Sequence, residues 1–198
     1  QPVVISIQGI INPYFEKFYS GIPKADSLRN EPLKSRLTFG TQAKSFRMFE
    51  LMAKREVEIL GMAKHIIGRT SWDKRVTSMM SEGKYYHGDE LLREEFYQNV
   101  WHYPDIQTNE FKIVTTTSNS IYKGFETTIK TAIILSRIKN FRFKWEIIGL
   151  SEEDSVVKMM VSWLKVNLSE INIVLRVKIP PQTFIPIILQ SNVFCQVS

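Results

Sequence analysis

Residues 111–149 constrain the fold of this chain more than any other stretch. Ile113 and Val114, followed by Thr115, Thr116 and Thr117, make a β-branched run with the composition of a buried parallel strand. A polar loop over 118–122 leads to Lys123-Gly124-Phe125. From 125 to 138 the apolar positions Phe125, Ile129, Ala132 and Ile133 return with helical spacing. A second β run over 144–149 completes a β-loop-α-β unit. This connection puts the loop at the carboxyl end of the first strand, where open α/β sheets take their ligands. A helix N-terminus beside a small, hydroxyl-rich loop suits an anion, because unpaired backbone N–H groups and the helix dipole both favour negative charge. Ser118, Lys123 and Gly124 are thus a candidate phosphate site, with Lys123 adding a mobile positive charge. The same residues equally describe a plain βα turn with a lysine beside a helix start.

Downstream, Ser151-Glu152-Glu153-Asp154 precedes Val156, Val157, Met160, Val161 and Leu164. The acidic cluster reads as the capped N-terminus of a helix, so no metal is assigned. A third strand is expected over 171–175, followed by Arg176-Val177-Lys178-Ile179. Pro180-Pro181 opens a helix over 184–189 that Pro186 must shorten or kink. A last strand over 193–198 holds Cys195 as a buried thiol. The second half therefore predicts an all-parallel sheet with strands at 111–117, 144–149, 171–175 and 193–197.

In the first half, 2–11 reads as a buried parallel strand ending near Gln8-Gly9. Residues 12–45, broken by Pro13, Gly21, Pro23, Pro32 and Gly40, form an irregular connection with short helical pieces. Its Phe15, Phe18 and Tyr19 either face an acceptor or membrane or, as the better reading, pack the loop onto its domain. A helix runs over 45–63, with Phe46, Phe49, Met52, Ala53, Val57 and Leu60 on its apolar face and Glu50–Lys54 as a favourable i,i+4 pair. Residues 64–68 form a short strand, and a helix follows to Met80 with Thr70 or Ser71 as N-cap and Asp73 in its first turn. His65 reads as structural. Residues 101–110, with His102, Pro104, Asp105 and Asn109, read as a linker.

Tyr122-Lys123-Gly124-Phe125-Glu126 between strand and helix, then Trp145-Glu146-Ile147-Ile148-Gly149, resembles the nucleotide-sugar half of the retaining GT-B glycosyltransferases, the group related to glycogen and sucrose synthases. In that family a strand ends in Gly-Arg and a Lys-Gly pair follows, both basic residues holding the donor diphosphate. Lys123-Gly124 match the second pair, while Thr117-Ser118 stand in place of the first. Gln8-Gly9 resembles a His-Gly near the donor sugar, and 63–70 a strand closing the first lobe. Tyr86-His87-Gly88 with Phe96 resembles an interlobe Pro-Asn-Gly segment, and Val177 stands where the family has a base-contacting glycine.

The resemblance implies an α/β, GT-B-like fold of two Rossmann-like lobes with parallel sheets, both incomplete. Residues 1–103 would be the C-terminal part of the acceptor-side lobe and 104–198 the N-terminal part of the nucleotide-sugar lobe. It implies a diphosphate site at Lys123, Ser118 and Gly124, donor nucleotide and sugar contacts from Gln8, Gly9, Gly149 and Lys178, and a cleft lip at His87 and Gly88, with no catalytic residue identified. The implied activity is metal-independent, retaining transfer of a sugar from a nucleotide diphosphate sugar to an acceptor hydroxyl, with no separate cofactor. The alternatives are a nucleotide-sugar epimerase on the same fold and a catalytically inactive binding remnant. Strand-like sequence at both ends reads as a portion of a longer protein.

Composition limits the partners. The net charge of +6 fits nucleic acid, an anionic membrane or a phosphorylated substrate. Without zinc-finger spacing, an RNP-type motif or a long basic block, nucleic acid is set aside. A nucleotide-sugar donor, a glycan or lipid-linked acceptor, and peripheral membrane association stay open. The single cysteine and the absence of a spanning apolar run or signal-peptide pattern read as a cytoplasmic protein, with the inner face of a membrane as a further place of work.

Overall fold

The computed structural model describes residues 3–38, 40–103 and 110–197. The chain divides into two compact units, Gln1–Phe18 with Ala43–Leu92, and Tyr19–Gln42 with Arg93–Ser198. Both are α/β with parallel strands, as the sequence reading expects. The expected lobe boundary at 103/104 adjoins 104–109, and Pro104, Asp105 and Asn109 of the linker lie outside the described residues, as do Pro2 and Ser198 at the outer ends of the first and last expected strands.

In the first unit β1 (Val4–Ser6) is followed by α1 (Ile11–Phe15). The chain passes through α2 (Lys24–Arg29) and α3 (Leu33–Leu37), which belong to the second unit, and returns in the long α4 (Gln42–Met62). It then forms β2 (His65–Gly68), α5 (Ser71–Ser78) and β3 (Lys84–His87), giving a parallel sheet in the order β1-β2-β3. Ile7, Ile10, Leu60 and Ile66 form its buried core. Phe18 packs on Phe46 and Phe49 of α4, with ring centroids 5.6 and 5.3 Å away, so that ring is core and not an acceptor surface. The strand expected over 2–11 is three residues long. It is an edge strand, paired on one side only, with Val3 and Val4 69% and 52% exposed. Met52 and Val57, expected on the apolar face of α4, are exposed, while Ala53 and Leu60 are buried. The interlobe segment read at 84–96 contains a strand instead. β3 takes its backbone partners from β2, and Tyr85 supplies the β propensity.

In the second unit α6 (Glu94–Tyr97) precedes β4 (Phe111–Thr116), α7 (Phe125–Ser136), β5 (Phe143–Ile148) and α8 (Ser155–Leu164). Then come β6 (Ile173–Arg176), α9 (Pro181–Leu189) and β7 (Val193–Phe194). All four strands are parallel, in the order β6-β5-β4-β7. Counted from the unit's first strand this is 3-2-1-4, the order with which dinucleotide-binding sheets begin. Ile113, Trp145, Ile147 and Ile173 are buried on one face. Thr115 ties β4 to β5 and to the chain just past β7, since its Oγ1 accepts from Trp145 Nε1 at 2.9 Å and donates to the Cys195 carbonyl at 2.6 Å. The last strand is only two residues long, and Cys195, expected as a buried strand thiol, is half-buried just beyond it. α9 runs over nine residues with Pro181 at its start, where no donor is needed, and Pro186 in its interior, where the helix forgoes the bond to the Gln182 carbonyl.

The segment 19–42 packs with the second unit through specific polar contacts. Glu126, 1% exposed in the first turn of α7, accepts from Ser20 Oγ at 2.8 Å and from the Gly21 N–H at 3.0 Å. Ser162 of α8 donates to Asn30 at 2.9 Å.

Candidate functional site

Because every strand of the second sheet runs the same way, the loops after β4, β5 and β6 emerge at one edge. That edge holds Ser118 and the Lys123-Gly124 pair after β4, Gly149 after β5, and Lys178 after β6. Chain order reverses between β4 and β7, because the first three strands progress to one side and β7 adds on the other. The loop after β4 therefore stands at the topological switch point, and Lys178 lies at the outer strand, farthest from it.

The loop is built tightly. The Ser120 N–H donates to the Ser118 carbonyl at 2.6 Å, and a single 3-10 turn over Ile121–Lys123 brings the chain to Gly124. Gly124 has φ of +70° and precedes α7 with no side-chain cap on the helix start. The Thr127 and Thr128 N–H groups both donate to the Gly124 carbonyl, at 3.0 and 3.2 Å, which leaves those of the buried Phe125 and Glu126 as the unpaired donors of the helix start. A Cβ at Gly124 would lie 2.7 Å from the Val197 carbonyl oxygen, so the chain after β7 closes on this glycine. Lys123 Nζ lies 5.6 Å from the centroid of the Tyr122 ring, and among the described residues no carboxylate pairs with it. Ser118 is exposed.

Gly149 is constrained by its own sheet, and one cap differs from the expected one. Gly149 has φ of +103°, and a Cβ there would stand 2.1 Å from the Thr117 carbonyl oxygen. The chain just past β4 therefore approaches this glycine closely. The N-terminus of α8, assigned to the acidic cluster, is capped by Asn119, whose Oδ1 accepts from the Val156 N–H at 3.1 Å and from Ser155 Oγ at 3.3 Å. Asp154 instead closes its own turn, accepting from the Ser151 N–H at 2.7 Å. The loop after β4 is thus tethered at Asn119 to the neighbouring helix.

In the first unit, Gln8 and Gly9 follow β1, and His87 and Gly88 stand at the end of β3, on the carboxyl edge of that sheet. Arg69 joins them. Its Nη2 donates to the Gln8 carbonyl at 2.8 Å, and its Nη1 pairs with Glu90. Glu90 holds the guanidinium above its ordinary pKa. His87 Nε2 is 2.8 Å from Asp89 Oδ1, both exposed. α5 starts with a capping box, Thr70 Oγ1 accepting from the Asp73 N–H while Asp73 accepts from the Thr70 N–H, so that helix start is already filled. His65 Nδ1 lies 3.3 Å from Tyr86 Oη.

Arg69, Asn119 and Glu126 were not singled out from the sequence. Arg69 and Asn119 each stand one or a few residues past a strand's carboxyl end, which is the signal that would have found them. Among the described residues no three His, Cys, Asp or Glu side chains gather as metal ligands. No helix among them is long and apolar enough to cross a membrane. No family model, curated protein or solved structure matches this chain.

Proposed function

We propose that the second unit binds the diphosphate of a nucleotide sugar and that the chain belongs to a metal-independent, retaining glycosyltransferase of GT-B type. The observation that carries this reading is the place of Lys123-Gly124 at the switch point of a parallel sheet ordered β6-β5-β4-β7, where such sheets bind nucleotides. The start of α7, without a side-chain cap, offers the Phe125 and Glu126 N–H groups to a phosphate, and Lys123 offsets the charge that builds on a departing diphosphate. Ser118 adds a hydroxyl donor from the same loop.

A second reading, binding without transfer, is favoured by one specific point. The family's first diphosphate cation is an arginine, and Ser118 occupies that position. Thermal unfolding against UDP-, GDP- and ADP-sugars, with Lys123→Ala as the comparison, tests the donor site. A rise in midpoint with one donor, lost in Lys123→Ala, is expected. No rise with any of them refutes the donor site. A rise without release of sugar or nucleotide from the donor in the presence of acceptor glycans leaves binding without transfer as the function.

A further inference from the structure

The face of the second sheet opposite Trp145 and Ile147 buries Val114 and Ile148 but also carries a cluster of charges, whereas a parallel sheet flanked by helices is ordinarily apolar on both faces. Lys112 of β4 and Lys144 of β5 are register partners and so share one face on adjacent strands. Two like charges placed this way destabilise a sheet unless something of opposite sign lies beside them. Glu146, two residues on from Lys144 and with its side chain 15% exposed, receives Lys144 Nζ at 2.9 Å and Arg176 Nε at 2.5 Å on its two oxygens. Burial works against its ionisation, but these two bonds prevail and hold the carboxyl below its ordinary range. Three cations, Lys112, Lys144 and Arg176, thus face one carboxylate, a net charge of +2 from three minus one. Lys112 pairs with no acid among the described residues.

All four residues line one partly open cavity of about 230 Å³, bordered by Gln190 and Ser191 just past α9. Lys112 and Lys144 lie near the amino ends of β4 and β5, away from the Lys123 loop, while Arg176 ends β6 at the carboxyl edge. It is smaller than the roughly 300–1,000 Å³ typical of sites for drug-sized ligands. We infer that this cavity binds a compact oxyanion of the orthophosphate or sulfate class, independently of the donor site. An anion held between Lys112 and Lys144 turns a repulsive pair into two charge-assisted hydrogen bonds, and partial enclosure between sheet and helix strengthens both relative to the open surface. Gln190 supplies an amide donor at the rim.

The test is thermal unfolding of the full chain titrated with sodium orthophosphate, with ionic strength held constant by chloride. The midpoint should rise by roughly 3–6 °C at ten times the dissociation constant. Lys112→Ala should abolish the rise while leaving the midpoint in chloride unchanged or higher, because a repelling cation has gone. Lys123→Ala should keep the rise, which separates this site from the donor loop. Titration calorimetry of the unmodified chain with orthophosphate should give one site displaced by sulfate, and Lys112→Gln provides a second variant should the alanine fold poorly. A rise retained in the Lys112 variants, a rise lost only in Lys123→Ala, or neither heat nor rise in the unmodified chain overturns the inference.

Discussion

Replacing Gly149 with alanine tests the packing on which the carboxyl edge of the second sheet depends. The new Cβ would stand 2.1 Å from the Thr117 carbonyl oxygen and 3.3 Å from its carbon, and the backbone has φ of +103°. Neither side yields easily. The Thr117 N–H donates to the Ile148 carbonyl at 2.9 Å, and the Gly149 N–H donates to the Arg176 carbonyl at 2.8 Å, so a shift on either side pulls on the ladder. An unfavourable backbone region costs about 1–3 kcal/mol and overpacking a further amount of about 1–3 kcal/mol, giving about 2–6 kcal/mol together. Domains are stable by about 5–15 kcal/mol, so the loss is a large fraction of the whole. Urea unfolding followed by hydrogen exchange in peptides spanning β5 reads it out. At a slope of about 2 kcal/mol/M the midpoint should fall by about 1–3 M. Gly9→Ala is the control, because nothing lies within 4 Å of its added Cβ and its φ lies outside the positive range. It should shift stability by under about 0.5 kcal/mol. If Gly149→Ala behaves like Gly9→Ala, the Thr117 carbonyl does not occupy that space and the account of this edge is wrong.

Thr70→Ala removes the hydroxyl half of the capping box on α5 and should cost about 0.5–2 kcal/mol by chemical denaturation of the first unit. Glu126→Ala removes the acceptor of the exposed Gly21 N–H and Ser20 hydroxyl, which water can then satisfy, so it should lower stability by about 0.5–1.5 kcal/mol and open 19–42 to limited proteolysis. Glu126→Gln, which keeps an acceptor oxygen, should do less harm in the same assay. Glu146 has its folded pKa depressed, burial being outweighed by the bonds from Arg176 and Lys144. Its contribution is therefore present above the usual carboxylate range and lost as pH falls through the lowered value. Acid titration of the midpoint should be less steep in Glu146→Gln, and an unchanged slope would refute the assignment.

Much of the second unit was legible from 111–149 because two periods alternate there. A β-branched run, a polar loop with glycine, a helical repeat and another β run admit few arrangements, and parallel pairing follows from the helix between the strands. What the sequence concealed was pairing partners. Nothing local to Lys84-Tyr85-Tyr86-His87 distinguishes a four-residue strand from a turn, since its identity comes from the backbone of β2. The same holds for Asn119, which reaches a helix start 37 positions away, and for Glu126, which fixes a turn 105 positions upstream. The shared-face cluster of Lys112, Lys144, Glu146 and Arg176 was hidden for a different reason. Each strand alone shows only one or two charges, and the register that sums them is a tertiary property.

The switch point depends on a strand of two residues, and that dependence can be tested without touching the candidate site. β7 pairs with β4 only at Ile113↔Val193 and Val114↔Phe194. It is extended by the Cys195 N–H donating to the Val114 carbonyl at 2.8 Å and by Thr115 Oγ1 donating to the Cys195 carbonyl at 2.6 Å. The chain then continues to Val197, whose carbonyl rests against Gly124. Thr115 is thus a fastener between the central strand and the segment that closes one side of the α7 start. Thr115→Val keeps the shape but removes the hydroxyl, leaving the buried Trp145 Nε1–H without its acceptor and the Cys195 carbonyl without its donor. A buried group left unpaired costs about 1–3 kcal/mol. Stability should fall by that amount, and hydrogen exchange in 193–197 should quicken. If the start of α7 is the diphosphate seat, donor affinity should weaken as well, although Lys123, Ser118 and Gly124 are all intact. Donor affinity unchanged while 193–197 loosens would show that the anion seat does not need β7, and the switch point would lose its claim on the function.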